Sequence, residues 1–240
     1  MAQKSIHYKE EVFDISYEIL NPKQTTDCII LHGWGSNKNL MKQSFAPYMK
    51  DFRHIYIDLP GFGNSTAPIA LDTYDVAAIV GLLLDEIDGK KDIILGHSFG
   101  GKVALVLDPK LLVLVASAGI QTPKPLSVRL KIALFKLLKT FGLQKFRALF
   151  VADDAKALTP QMYETFKTVV NEDMAEEFAK FNSKALLFWG RSDTATPLSS
   201  AQKIATLIND AELEVYDGDH YFFMNNASDI AQKIIHAYKN

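Results

Sequence analysis

Among the residues able to do chemistry, the pentapeptide Gly96-His97-Ser98-Phe99-Gly100 stands out for its setting. It follows an apolar run at 92–95 and precedes a helix-like stretch at 101–107, which puts the G-x-S-x-G pattern on a strand-to-helix turn. So tight a turn strains the backbone of Ser98, and side chains in place of Gly96 and Gly100 would clash. It lifts the Ser98 hydroxyl out of the sheet. It also aims a helix N-terminus at that hydroxyl, where amides can stabilise developing negative charge.

A serine hydroxyl is a weak nucleophile at neutral pH and needs an adjacent base. The chain offers His7, His32, His54, His97, His220 and His236. Of these, His220 ends Tyr216-Asp217-Gly218-Asp219-His220, a loop directly after the last strand-like run. A carboxylate that orients it should follow an earlier strand, and Asp193 in Gly190-Arg191-Ser192-Asp193 follows the run at 185–189. Asp217 and Asp219 are rivals in sequence but lie too near His220 in the chain to reach its ring comfortably. The order is then Ser98, Asp193, His220, as a nucleophile on this kind of turn demands. His32-Gly33-Trp34-Gly35 follows the run at 26–31, where an oxyanion loop belongs. The amides of Trp34 and Phe99 are the candidate pair of donors, with Gly33 part of that loop. His32 and His97 read as structural or pocket-lining, the Trp34 indole as a pocket wall, and Cys28 as a small buried hydrophobe.

The elements that must hold these residues alternate along the chain. Apolar runs at 26–31, 53–58, 92–95, 111–116, 185–189 and 211–216 have the habit of parallel strands buried on both faces. Residues 12–19 alternate more and predict an antiparallel edge strand. Helix-like segments at 74–87, 199–208 and 227–238 lie between and after them. The class is α/β, a mostly parallel sheet flanked by helices. Only residues 102–107 separate the turn from Asp108-Pro109, so the helix after Ser98 should be short and its cover of the sheet thin.

From 121 to 182 the alternation stops, and only helix-like sequence follows. The prediction is an all-helical cap at 121–182 inserted into a core of 1–120 and 183–240. Between Gln121 and Ala152 the cap carries Lys124, Arg129, Lys131, Lys136, Lys139, Lys145 and Arg147 and no acid. Leu130, Leu134, Leu137, Leu138 and Phe141 recur there at near-helical spacing. This describes a lid with a solvated basic face, or a docking face for an anionic partner such as a carrier protein or a carboxylate-bearing substrate. A basic amphipathic helix resting on a membrane surface is a third reading.

Composition removes other classes. The 240 residues carry 26 Lys plus Arg against 28 Asp plus Glu, a net charge of −2, which gives no nucleic-acid signature. One cysteine excludes a disulfide framework and any Cys-based metal or iron–sulfur site. The first nine residues have no apolar core and no run reaches 18 uncharged apolar residues. The expectation is a cytoplasmic protein without a transmembrane segment. The chemistry of a serine nucleophile needs no metal and no organic cofactor.

Five motifs taken together resemble one family. His32-Gly33-Trp34-Gly35, Asp58-Leu59-Pro60-Gly61-Phe62-Gly63-Asn64-Ser65, Gly96-His97-Ser98-Phe99-Gly100-Gly101, Gly190-Arg191-Ser192-Asp193 with Pro197, and Gly218-Asp219-His220 are similar in kind and order to those of the α/β-hydrolase superfamily with a helical cap. The resemblance implies the α/β-hydrolase fold and a Ser-His-Asp triad that works through an acyl-enzyme. Within the family, the first two motifs resemble the pimeloyl-carrier-protein methyl esterases. The chain is also similar to meta-cleavage 2-hydroxy-6-oxo-dienoate hydrolases. However, Tyr221 follows His220 where those enzymes tend to carry Trp, and their longer Gly-Pro-rich oxyanion loop is missing. The expected function is a serine hydrolase of a small carboxylic ester, free, anionic or carrier-borne. A C–C bond hydrolase is the same-fold alternative, and a ligand-binding or signalling protein with little turnover is the alternative of another class. Ser98 at the turn argues against dehalogenase or epoxide hydrolase chemistry, where an Asp nucleophile is expected.

Overall fold

A computed structural model describes residues 2–121 and 158–239. In chain order the elements are β1 (Ala2–Tyr8), β2 (Glu11–Leu20), β3 (Asp27–Leu31), α1 (Lys38–Phe45), β4 (Arg53–Ile57), α2 (Thr73–Glu86), β5 (Ile93–His97), α3 (Phe99–Leu107) and β6 (Leu111–Val115). There follow α4 (Pro160–Val169), α5 (Ala175–Lys180), β7 (Lys184–Gly190), α6 (Leu198–Leu207), β8 (Ala211–Tyr216) and α7 (Phe223–Lys239). The strands form one sheet in the order β1-β2-β4-β3-β5-β6-β7-β8. From β4 to β8 every pairing is parallel, while β1–β2 and β2–β4 are antiparallel.

The apolar runs from β3 to β7 are strands because their residues have core to meet on both faces, whereas β8, expected to be buried on both faces too, is an edge strand with no buried residue. Every residue of β3, β5 and β6 is buried. Along β3, Ile29 and Leu31 face the side covered by α2, α3 and α6. Cys28 and Ile30 face the side covered by α1 and α7. Successive strand residues point to opposite faces, so unbroken apolar sequence is what a central strand of this sandwich needs.

Two expectations change. The strand at 12–19 is antiparallel as predicted, but it is not the edge. β1 pairs outside it, with Ile6 opposite Phe13. β1 escapes a sequence reading because only Ile6 of its seven residues is buried. Helix α1 also carries no strong apolar pattern, since one of its buried residues is Lys38. The helix after Ser98 is short as predicted, nine residues ended by Asp108 in the left-handed region (φ 55°). The sheet is covered nonetheless, because α2 packs alongside α3 and all of α3 except Val106 is buried.

Of the predicted cap, residues 122–157 lie outside the described residues, and with them the basic and leucine positions from Lys124 to Arg147. The described remainder holds α4 and α5. Thr159 caps α4 through its hydroxyl, with Pro160 at the first helical position. Met162, Thr165, Val169 and Phe178 bury these two helices. Among the described residues no helix is long and apolar enough to cross a membrane.

Candidate active site

Loops leaving the carboxyl ends of parallel strands meet along one edge of the sheet, the usual place for a site in an open α/β sheet. Here β3 leads to Trp34, β5 to Ser98, β7 to Asp193 and β8 to His220. The turn after β5 is as tight as the glycines suggest. Ser98 sits at φ 52°, ψ −115°, a strained conformation for a residue with a side chain. A Cβ on Gly96 would lie 2.3 Å from the Gly100 carbonyl oxygen, and one on Gly100 would lie 2.6 Å from that of His32. Neither contact is possible, so both positions must be glycine. The turn is held by the Ser98 N–H on the Val115 carbonyl at 3.1 Å, and by the Gly101 and Ala118 N–H groups, each 3.0 Å from the Ser98 carbonyl. Ser98 itself is half-buried.

The loop after β3 rests on this turn. A Cβ on Gly33 would be 3.0 Å from that of Ser98 and 2.8 Å from His97 Nδ1. Trp34 places its ring edge-on to Phe99 at 5.7 Å and to Phe62 at 4.8 Å, with Phe166 of α4 at 5.3 Å. Its indole is therefore part of an aromatic wall between the turn and α4. His32 is fully buried. It donates Nδ1–H to the Gly33 carbonyl at 2.8 Å and accepts the Leu59 N–H on Nε2 at 3.0 Å. Burial pushes it down to about 4.

Asp193 and His220 meet directly, with His220 Nδ1 2.7 Å from Asp193 Oδ2. A carboxylate can only accept, so Nδ1 carries the proton and Nε2 is left as the basic nitrogen. The other oxygen of Asp193 accepts the Ala195 N–H at 2.8 Å and the Thr196 N–H at 2.9 Å. Burial works to raise this carboxyl, and the bonds from His220 and Thr196 outweigh it and hold it below the usual carboxylate value. The rivals are engaged elsewhere. Asp217 accepts from Arg191 Nε at 3.3 Å and Asp219 from the Tyr221 N–H at 2.8 Å.

His97, read from sequence as structural or pocket-lining, packs against the site, and the motif reading passed over Thr196 and Lys102. His97 donates Nε2–H to the main-chain carbonyl of His220 at 3.1 Å, with the two rings 4.7 Å apart. Burial, with His220 nearby, pushes His97 down to about 3. Thr196 lies against Asp193 and His220. Lys102, one turn beyond Ser98 on α3, is buried. Its ammonium donates to the Val169 carbonyl at the end of α4 at 2.7 Å, and to Glu172, which also accepts from the N–H and hydroxyl of Thr73. Burial lowers Lys102 and the Glu172 bond opposes it. His97 and Lys102 lie inside the elbow motif, yet their partners are 67 to 123 residues away and leave no local signal.

Fold and loop arrangement together define an α/β-hydrolase. Residues 28–233 match the model of the alpha/beta hydrolase family, and the chain belongs to that family. A pimeloyl-[acyl-carrier protein] methyl ester esterase of Vibrio campbellii is 38% identical over 81 residues, 34% of this chain and 30% of that protein. A 2-hydroxy-6-oxononadienedioate/2-hydroxy-6-oxononatrienedioate hydrolase of Pseudomonas putida is 24% identical over 226 residues, 79% of each chain. The match covers 55% of the length of one curated relative and 30% of that of another. Among solved structures, an esterase from Exiguobacterium antarcticum superposes over 100% of both chains with a TM-score of 0.77 at 21% identity, a likeness of fold.

Proposed function

We propose that the protein is a serine hydrolase of carboxylic esters, with Ser98 as nucleophile, His220 as general base and acid, and Asp193 as the residue that orients the imidazole. The observation that carries this reading is the Asp193–His220 hydrogen bond, which leaves Nε2 free to take a proton on the edge where the strained turn presents Ser98. Ser98 Oγ attacks the ester carbonyl as His220 Nε2 takes its proton. The tetrahedral oxyanion forms against the amides of Trp34 and Phe99. Collapse expels the alcohol, which takes the proton from His220, and water repeats the sequence on the acyl-enzyme. Asp193 stays ionised throughout and stabilises the imidazolium.

Residues 121–182 form the cap over this site in the same reading, and α4 supplies Phe166 to its wall. A carrier-borne or otherwise anionic ester is the substrate favoured within the class. Two things support it: the acid-free basic segment at 121–152 and a likeness to esterases that act on pimeloyl-carrier-protein methyl ester. C–C hydrolysis of a dienoate has the Pseudomonas putida relative in its favour, and Tyr221 and the short oxyanion loop against it.

The test is labelling with a fluorophosphonate, mapped by mass spectrometry, alongside turnover of neutral p-nitrophenyl esters and of a carboxylate-bearing or carrier-borne methyl ester. Stoichiometric label on Ser98 with ester turnover is expected, at higher kcat/KM for the anionic ester. No label and no turnover would instead leave a binding protein that keeps the pocket.

A further inference from the structure

Asp193 is held by a second side chain as well as by His220. The Oγ1 of Thr196 lies 2.8 Å from Asp193 Oδ2, 3.0 Å from the Ala116 carbonyl oxygen at the end of β6, and 3.3 Å from His220 Nδ1. It has one hydrogen for two acceptors. The nearer acceptor is the ionised one, and hydrogen bonds to charged oxygens are the shorter and stronger kind, so the hydrogen belongs chiefly to Asp193. With the Ala195 and Thr196 amides on Oδ1, each carboxylate oxygen then has two donors among the described residues. Thr196 is itself well fixed. It is buried, its carbonyl accepts the Trp189 indole N–H at 2.7 Å, and Pro197 follows it at the start of α6.

We propose that Thr196 is a positioning residue for the triad, acting through Asp193. The proposal rests on the reading of Asp193 and His220 as orienting acid and base. The Ala195 and Thr196 amides hold Oδ1, but with His220 as the one donor on Oδ2 that oxygen could still shift and carry the imidazole with it. The hydroxyl fixes Oδ2 as the amides fix Oδ1, and takes up part of that oxygen's accepting capacity. Other groups facing the pair are already engaged or neutral. His97 is neutral and binds the His220 carbonyl, the Tyr221 ring packs edge-on to His220 at 5.6 Å, and Asp219 accepts the Tyr221 amide. Asp217 turns to Arg191.

Thr196→Val keeps the branched shape and removes the hydroxyl. On a neutral p-nitrophenyl ester its kcat should fall about tenfold with KM unchanged, the scale of one hydrogen bond to a charged group. The acid limb of the kcat/KM profile should move to higher pH, because a carboxylate relieved of one donor accepts more strongly from His220 and favours the imidazolium. Thr196→Ser should restore both. If the valine variant does not fold, Thr196→Ala against Thr196→Ser makes the same comparison, since those two differ by the hydroxyl alone. Wild-type kinetics without the hydroxyl, equal loss in the serine and alanine variants, or a fall in kcat with an unmoved acid limb would each overturn the proposal. In all three cases wild-type labelling at Ser98 stands. Failure of that labelling would instead remove the reading beneath it.

Discussion

Two buried aspartates follow parallel strands of the same sheet, and only one of them belongs to the candidate site. Asp58 follows β4 and is 1% exposed; Asp193 follows β7 and is 5% exposed. Both are surrounded by donors. Asp58 takes the Lys38 ammonium, the Lys38 amide at 2.7 Å and the Asn64 amide at 3.0 Å, while Asp193 takes His220, Thr196 and Ala195. The difference lies in the partner. Lys38 is sealed, with its side chain 0% exposed, and its other bond goes to Ser16. The His220 ring keeps 16% of its surface open and leaves one nitrogen uncommitted to its carboxylate. A buried, well-bonded carboxylate at a strand end therefore marks architecture as readily as chemistry. Access of the partner's proton to solvent and substrate is what separates the two.

That contrast can be broken experimentally. Ser98→Ala removes the group that the Asp193 corner would serve. Ester turnover should fall by on the order of 10⁴–10⁶ with the fold intact; activity within tenfold of wild type would dismiss Ser98 as nucleophile. Asp193→Asn should cost on the order of 10³–10⁴ in kcat by favouring the wrong imidazole tautomer, with little change in melting temperature. If Asp217→Asn or Asp219→Asn is the severe change instead, the acid is misplaced.

Asp58→Asn should do the reverse. It strands the Lys38 ammonium in the core, and removing one member of a buried pair costs about 3–5 kcal/mol. Urea unfolding should show that loss while turnover per folded molecule stays near wild type. A kcat loss comparable to that of Asp193→Asn would erase the distinction between the corners.

The smallest effect concerns His32 and His97, which burial pushes down to about 4 and about 3. The folded state keeps both neutral while the unfolded chain protonates near 6.5. The stability they contribute is therefore fully present above pH 6.5 and is lost as the pH falls toward 4 and 3. Between pH 7 and 5 the unfolding free energy should drop by about 2 kcal/mol for each. Equal stability at the two pH values would show that these rings are not held neutral.

What the sequence revealed followed local patterns. Apolar runs mark β3 to β7 because a strand covered on both faces can be nothing else, and the glycines at 96 and 100 mark the turn because backbone passes where side chains would be. β1 was hidden by its exposure, with one buried residue in seven. Lys38 hid α1 by being a charged residue in a core position. Thr196 stayed silent for a different reason. A threonine between an aspartate and a proline suggests a loop, and its value depends on Ala116 and His220 arriving from other strands. The order Ser98, Asp193, His220 was legible because the topology orders the loops along the chain. That Asp193 rather than Asp217 or Asp219 bonds His220 needed the distances.

The Lys102 anchorage couples two parts that might otherwise move separately. Its ammonium sits on the short helix that follows Ser98 and grips both the end of α4 and Glu172, while the hydroxyl of Thr165 takes the Leu71 amide. A load that lifts α4, and with it Phe166 off Trp34, is transmitted along a nearly dry path to the helix whose first residue is Phe99. The helix then resists as a lever rather than as a hinge. Parting α4 from α3 must either extract a lysine from its buried seat or tilt the helix beneath it, so mechanical stiffness at this one seat limits how far the two can separate.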